Sequence, residues 1–130
     1  MTQESPPGTA MRVVAEPARI AAVRTAVREQ LRAWGREDLA HAAALCVTEI
    51  LANVHRHAGS PECELTLHDL ADEGVRATVS DRSHRLPVPA PLPLDWSAER
   101  GRGMHLIATA AHRWGARPTP TGKQVWVVLR

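Results

Sequence analysis

Three polar side chains recur at four-residue steps in the stretch from Thr48 to Ala58, beside an apolar pattern of helical spacing, and this arrangement most constrains the fold. At about 100° per residue, Glu49, Asn53 and His57 would form one ridge along an α-helix. The apolar positions beside this ridge form an arc that a hydrophobic core must cover: Ala43, Val47, Ile50, Leu51 and Val54. The stretch therefore predicts a partly buried helix with a polar edge.

The polar edge has two interpretations. A carboxylate and a carboxamide one helical turn apart can hold a divalent cation or a water against a phosphate, because hard cations prefer oxygen ligands. The alternative is a solvated helix flank, since polar pairs at i and i+4 are common on helix surfaces. From spacing alone the solvated flank is the more frequent explanation, so the rest of the sequence has to decide.

Length and composition indicate one globular domain. The chain has 130 residues, 44% hydrophobic and 23% charged, which is enough to bury a core without disulfides or a structural metal. We place this domain at residues 11–130, after a polar, flexible arm at residues 1–10. The sequence shows neither a secretory signal nor an apolar run that could cross a membrane, so a cytoplasmic protein is expected. Cys46 and Cys63 lack metal-site spacing and are expected to be reduced thiols.

Direct nucleic-acid binding is not expected. The formal net charge is only +2, and arginine, which supplies every basic residue except Lys123, is spread along the chain. With no Phe or Tyr and four Trp, the sequence also lacks the alternating aromatic and basic residues of a single-strand binding surface.

The N-terminal half predicts a strand and two helices. A short strand at residues 11–15 precedes an amphipathic helix that begins at Pro17, a residue favoured in the first helical turn. Gly35 follows the last apolar position of this helix and would end it in a left-handed conformation. The second helix, which carries the polar ridge, would run from residues 36–38 through His57.

The C-terminal half predicts a hairpin, a stiff loop and a closing strand. Residues 63–70 and 75–81 alternate with a period of two and should pair as antiparallel strands. Prolines 87, 89, 91 and 93 then exclude continuous helix or central strand. A strand at residues 124–129 ends the chain. One face of the sheet would pack on the helices, giving a two-layer α+β domain.

A glycine-rich loop opens a third predicted helix. Gly101, Arg102 and Gly103 precede Met104 and an apolar stripe that would end near residues 113–115. Backbone N–H groups at such a helix start can bind phosphate, although a lone G-x-G is more often an ordinary flexible loop.

These features occur in a fixed order: the E-x-x-x-N-x-x-x-H helix, a hairpin ending in Ser80-Asp81, the proline-rich loop, the Gly101-Arg102-Gly103-Met104 segment and Gly122-Lys123-Gln124-Val125-Trp126. In this combination residues 11–130 resemble the GHKL ATP-binding fold, and more narrowly the small bacterial proteins related to the anti-sigma-factor serine kinases. The resemblance implies an α+β two-layer sandwich, in which about three helices cover one face of a mixed, mostly antiparallel sheet.

The resemblance also implies roles for individual residues. Glu49 would be a general base, Asn53 would ligate Mg²⁺, and Asp81 would accept a hydrogen bond from the adenine amino group of ATP. The remaining nucleotide contacts would come from His57, which otherwise caps the helix end, from the lid residues Gly101, Arg102, Gly103 and Met104, and from Gln124.

The function implied by the resemblance is an ATP- and Mg²⁺-binding regulator that phosphorylates a serine of a small antagonist protein and sequesters a sigma factor, with a homodimer as one option for assembly. Two departures favour a non-catalytic switch of the same fold instead. Ser83 replaces the glycine of the family's D-x-G motif, and Gln124 replaces a threonine that helps to bind adenine. A plain α+β interaction domain is the third alternative.

Overall fold

The computed structural model describes residues 8–57, 59–83, 107 and 110–130. The elements in chain order are β1 (Gly8–Val14), α1 (Pro17–Ala33), α2 (Glu37–His57), β2 (Glu62–Asp69), a 3₁₀ turn (Ala71–Glu73), β3 (Val75–Asp81), β4 (Arg113–Thr119) and β5 (Gly122–Leu129). None of the described helices is both long enough and apolar enough to span a bilayer.

The five strands form one sheet in the order β1-β2-β3-β5-β4, and every described pairing is antiparallel. The predicted α+β architecture and the β2–β3 hairpin are confirmed. The sheet was expected to be mixed, but no parallel pair occurs among the described strands. β3 and β5 are neighbours in the sheet although β4 lies between them in sequence, and they too are antiparallel. β4 occupies the sheet edge, and its hairpin with β5 brings the chain back beside β3.

The core lies between the sheet and the helices. Alternate residues of β2, β3 and β5 turn toward the helices, as the two-residue period of a strand requires. On α2 the whole predicted apolar arc is no more than 2% exposed: Ala43, Val47, Ile50, Leu51 and Val54. The helix with the polar ridge is therefore packed along its apolar side, and it contacts both β3 and β5.

Gly35 ends α1 as the sequence predicts. Its φ is 74°, a conformation that a side chain disfavours. The Gly35 N–H donates to the Arg32 carbonyl at 3.0 Å, and the Arg36 N–H donates to the Leu31 carbonyl at 2.7 Å. This pair of bonds is a Schellman cap, which satisfies the last carbonyls of α1 and lets α2 begin at Glu37.

Two strands differ from the sequence-based expectation. β1 begins at Gly8, so residues 8–10, which we expected in the flexible arm, pair with β2. Residues 113–115, expected at the end of the third helix, belong to β4. Pro118 and Gly115 are uncommon in strands, but β4 is at the sheet edge, where a missing N–H is tolerated. The Trp126 ring lies over Gly115 in the adjacent strand.

Part of the predicted third helix lies within the described chain. Ile107 is 1% exposed in the core, and the Ala111 N–H donates to its carbonyl at 2.8 Å, a helical hydrogen bond. The remainder of this helix and the proline-rich loop from residue 84 onward lie outside the described residues.

An ion pair fastens the α1–α2 connection to the β2–β3 turn. Arg36 Nη2 lies 2.9 Å from Asp69 Oδ1, and the same guanidinium donates to the Ala71 carbonyl. Asp69 Oδ1 also accepts from the Ala71 N–H at 3.0 Å, which supports the positive φ of 55° at Ala71. The hydrogen bond from Arg36 lowers the pKa of the Asp69 carboxyl, so this contact favours the ionised form.

We expect Asp69→Asn to lower the free energy of unfolding at pH 7 by about 1–2 kcal/mol, because it removes a charged partner from the half-buried Arg36. Folding lowers the pKa of Asp69, so this stabilisation is fully present at pH values above the ordinary carboxyl pKa. It disappears as the pH falls through the pKa that Asp69 has in the folded protein. The difference between wild type and variant should therefore shrink in acid, as urea unfolding at several pH values would show. Asp72→Asn, at an exposed site nearby, is the control; equal effects at all pH values would contradict the assignment.

Candidate functional site

One end of the sheet gathers the predicted site elements, and we call it the Asp81 end. Asp81 at the end of β3 pairs with Lys123 at the start of β5, and β2 begins at the same end. β2 starts at Glu62, five residues after α2 ends at His57. Because five residues span at most about 18 Å, the last turns of α2 lie near the Asp81 end.

Glu49 and Asn53 lie on the flank of α2, at the border of the core. Both are partly buried, next to the fully buried Ile50 and Val54. Burial raises the pKa of the neighbouring Cys46 thiol to about 11, and the Glu49 carboxylate contributes to this shift. The structure thus places the carboxylate and the carboxamide one turn apart and partly out of water. His57, the third member of the ridge, is the last residue of α2.

A buried ion pair occupies the Asp81 end. Asp81 and Lys123 are 5% and 3% exposed, the two polar residues within the otherwise apolar buried set of the described chain. Lys123 Nζ lies 2.9 Å from Asp81 Oδ2, an ionic contact without hydrogen-bond geometry, and donates to Oδ1 at 3.2 Å. Burying two charges is unfavourable unless each finds its partner, so the pair holds β3 and β5 in a defined arrangement.

The backbone after β3 adds a second donor to Asp81. The Ser83 N–H donates to Asp81 Oδ1 at 2.7 Å. Aspartate side chains often accept from the backbone N–H two residues further on in this way, which forms a turn. The Asp81 side chain has no exposed surface in this arrangement. The serine found in place of the family's glycine therefore takes part in a turn that fixes the carboxylate.

Gly122 allows the ion pair to form. A Cβ added there would overlap the Asp81 carbonyl oxygen and press on the Arg82 backbone. The absence of a side chain lets the start of β5 approach the end of β3 closely, which brings the Lys123 ammonium to the carboxylate.

The structure does not bring Gln124 to the Asp81 side chain. Successive residues of a strand point to opposite faces, and Lys123 is the one that faces Asp81. Gln124 Oε1 instead accepts from Arg117 Nε at 2.9 Å and Nη2 at 2.7 Å on the other face of the sheet. The sequence alone assigns no site role to Lys123. The two-residue period of a strand places Lys123 on the same face as Val125, which is the signal that could have identified it as a buried residue.

The predicted lid residues cannot be located relative to Asp81 from the described chain. Gly101, Arg102, Gly103 and Met104 lie outside the described residues. A depression of about 500 Å³ lies on the face of the sheet opposite the helices, lined in part by Arg76, Arg113, Arg117 and Trp126. It therefore lies away from the Asp81 carboxylate and the polar ridge of α2.

Within the described chain, no three His, Cys, Asp or Glu side chains are grouped to hold a metal ion. A magnesium ion carried by a nucleotide does not need such a cage, because it keeps several waters and phosphate oxygens as ligands. A single carboxamide such as Asn53 therefore suits this cation, as one protein ligand among phosphates and waters.

Comparisons with known proteins agree on the fold. Residues 13–129 match the family model of the histidine kinase-like ATPase domain. The structure is similar to the crystal structure of the RsbU and RsbW domains of Rv1364c from Mycobacterium tuberculosis, with a TM-score of 0.69 and 17% identity. That match covers 95% of this chain and 32% of the other, so this chain spans about a third of that protein. No curated protein matches the sequence.

We expect Gly122→Ala to lower the free energy of unfolding by about 1–3 kcal/mol, because the new methyl group would push β5 away from the Asp81 backbone. Gly59→Ala is the matched control, since a Cβ there meets nothing within 4 Å. Chemical denaturation of both variants tests the expectation; a Gly122 variant as stable as the Gly59 variant would contradict the close approach of the strands.

Both cysteines should resist alkylation in the folded protein. Burial, with a contribution from Asp81, raises the pKa of the Cys63 thiol to about 11, as burial and Glu49 raise that of Cys46. At pH 8 about one thiol in a thousand would be the reactive thiolate. Iodoacetamide labelling followed by mass spectrometry should therefore be slow until denaturant is added; rapid labelling of either cysteine in the native protein would contradict the burial.

Proposed function

Since this chain belongs to the histidine kinase-like ATPase domain family, we propose that it is an ATP- and Mg²⁺-binding regulator of the anti-sigma-factor serine kinase type. The observation that carries the proposal is the position of Glu49 and Asn53, one turn apart at the border of the core on α2. This helix packs on β3, which ends at Asp81, and on β5, whose second residue, Lys123, is paired with Asp81.

The two side chains suit complementary tasks. Asn53 offers a neutral oxygen that would hold Mg²⁺ without taking the place of the phosphate ligands. Glu49, one turn earlier and partly buried, would accept the proton of an attacking serine hydroxyl. ATP, when bound with Mg²⁺, would supply the γ-phosphoryl group. Catalysis of this transfer depends mainly on positioning, to which the two side chains of α2 would contribute, and on charge neutralisation, which the bound Mg²⁺ would supply.

The proposed protein partners are a small antagonist protein that carries the acceptor serine and a sigma factor that the chain sequesters. Support comes from the sequence resemblance to the anti-sigma-factor serine kinases. The similarity to a structure that contains an RsbW domain agrees in fold.

A second candidate is a non-catalytic switch of the same fold, which would act through protein contacts. One observation favours it: the Asp81 carboxylate, expected to accept from adenine, is covered and paired with Lys123. The two candidates differ in whether Glu49 takes part in chemistry.

We expect Mg²⁺-ATP to raise the melting temperature of the wild type, because a ligand that binds only the folded state stabilises it. Asn53→Ala should lose most of the Mg²⁺-dependent part of this shift. His55→Ala, at an exposed position two residues further on, is the control and should keep it. Differential scanning fluorimetry with ATP, with and without Mg²⁺, measures both; an unchanged shift in the Asn53 variant would remove its assigned role.

We expect Glu49→Gln to keep most of the affinity for Mg²⁺-ATP but to slow phosphoryl transfer by about 10² to 10⁴-fold, the usual contribution of a positioned base. The assay follows labelled γ-phosphate into a candidate antagonist protein, with ATP affinity measured in parallel. Equal transfer by wild type and variant would exclude Glu49 as the base. Tight ATP binding without transfer to any candidate, even by the wild type, would favour the switch.

A further inference from the structure

Lys123 has no role in the proposed function, yet it is in an unusual place. It is the single lysine of the chain, in which arginine supplies every other basic residue. Lysine is rarely buried unless it is paired, and Lys123 is 3% exposed. Its side chain shares the helix-facing side of β5 with the buried Val125 and Val127. The position therefore needs a reason other than solubility.

The ammonium group of Lys123 lies against both oxygens of the Asp81 carboxylate. Oδ1 already accepts from the Ser83 N–H at 2.7 Å and from Lys123 Nζ at 3.2 Å. Oδ2 faces the same ammonium at 2.9 Å. Since the Asp81 side chain has no exposed surface and lies in contact with the Lys123 ammonium group, an incoming amino group can reach the carboxylate only after the surrounding groups move.

We propose that Lys123 is an internal competitor for the nucleobase, so that a base reaches Asp81 only when the ammonium group leaves it. This inference rests on the proposed function in one respect, namely that the ligand is a nucleotide. It adds that position 123 determines how much the base contributes to binding. The phosphate and Mg²⁺ end of the ligand, assigned to α2, would bind without disturbing the pair.

The strength of the pair makes the competition effective. Separating two buried charges leaves each without its partner, which is strongly unfavourable in a protein interior. A nucleobase offers the carboxylate a hydrogen bond from a neutral amino group in exchange, and it leaves the buried ammonium group without its counter-ion. Wild-type protein should therefore bind Mg²⁺-ATP and Mg²⁺-tripolyphosphate with affinities within about tenfold of each other, since the base adds little.

The test compares these two ligands by isothermal titration calorimetry. Lys123→Thr shortens the side chain and removes the competing charge, and should tighten Mg²⁺-ATP binding by about tenfold or more. Binding of Mg²⁺-tripolyphosphate, which has no base, should stay the same. Arg117→Thr is the matched control: it removes a cation from the opposite face of the sheet and should change neither affinity.

The results separate this inference from the proposed function. Strong ATP binding by the wild type that Lys123→Thr leaves unchanged or weakens would overturn the inference and keep the function. Weak or absent binding by the wild type, with a gain in the variant, would keep the inference and count against an ATP-dependent function. Absence of binding by both proteins would overturn both.

Lys123→Thr leaves the Asp81 carboxylate buried without a cation, so the variant has to be shown to fold by circular dichroism and melting. The double variant Asp81→Asn, Lys123→Thr covers the case in which it does not. The double variant carries no unpaired buried charge at the site, and its carboxamide oxygen at position 81 would still accept a hydrogen bond from an adenine amino group. The double variant should also bind Mg²⁺-ATP more tightly than the wild type, and equal or weaker binding would overturn the inference.

Discussion

The ion pair between Asp81 and Lys123 determines how the two central strands of this sheet meet. Two opposite charges are buried at the ends of β3 and β5, where neither would be stable without the other. The pairing requires the strands to approach closely, which Gly122 permits because it has no side chain. The register of β5 against β3 places Lys123, and not its neighbour, opposite the carboxylate. Geometry and electrostatics at this end of the molecule therefore depend on one another.

Much of the fold could be predicted because local signals agreed with the tertiary structure. Three features depend only on residues close together in sequence: the apolar arc of α2, the cap at Gly35 and the alternation in β2 and β3. β4 was missed because its residues Gly115 and Pro118 disfavour strands in general, and only its place at the edge makes them acceptable. That place depends on the whole sheet, which the local sequence does not contain.

The candidate site likewise has a part that depends on local sequence and a part that depends on the arrangement of the strands. The spacing of Glu49 and Asn53 on a helix follows from the sequence, and the structure places both at the border of the core. The partner of Asp81 is distant in sequence and depends on strand register, so the sequence alone assigns no role to Lys123. The contact of Gln124 with adenine stays a prediction. The ion pair between Asp81 and Lys123 bears on both candidate functions. It would weaken base recognition in an enzyme, and it would stabilise the nucleotide-free form of a switch.

The buried pair can be observed directly because the chain has a single lysine. In NMR of protein labelled with ¹⁵N-lysine, the single side-chain ammonium signal must come from Lys123, so it needs no assignment experiment. We expect this signal to persist in nucleotide-free protein at neutral pH, because the ammonium protons exchange slowly with water, and we expect Asp81→Asn to abolish the protection. An ammonium group that exchanges as fast as that of an exposed lysine, unaffected by Asp81→Asn, would contradict the buried ion pair between Lys123 and Asp81.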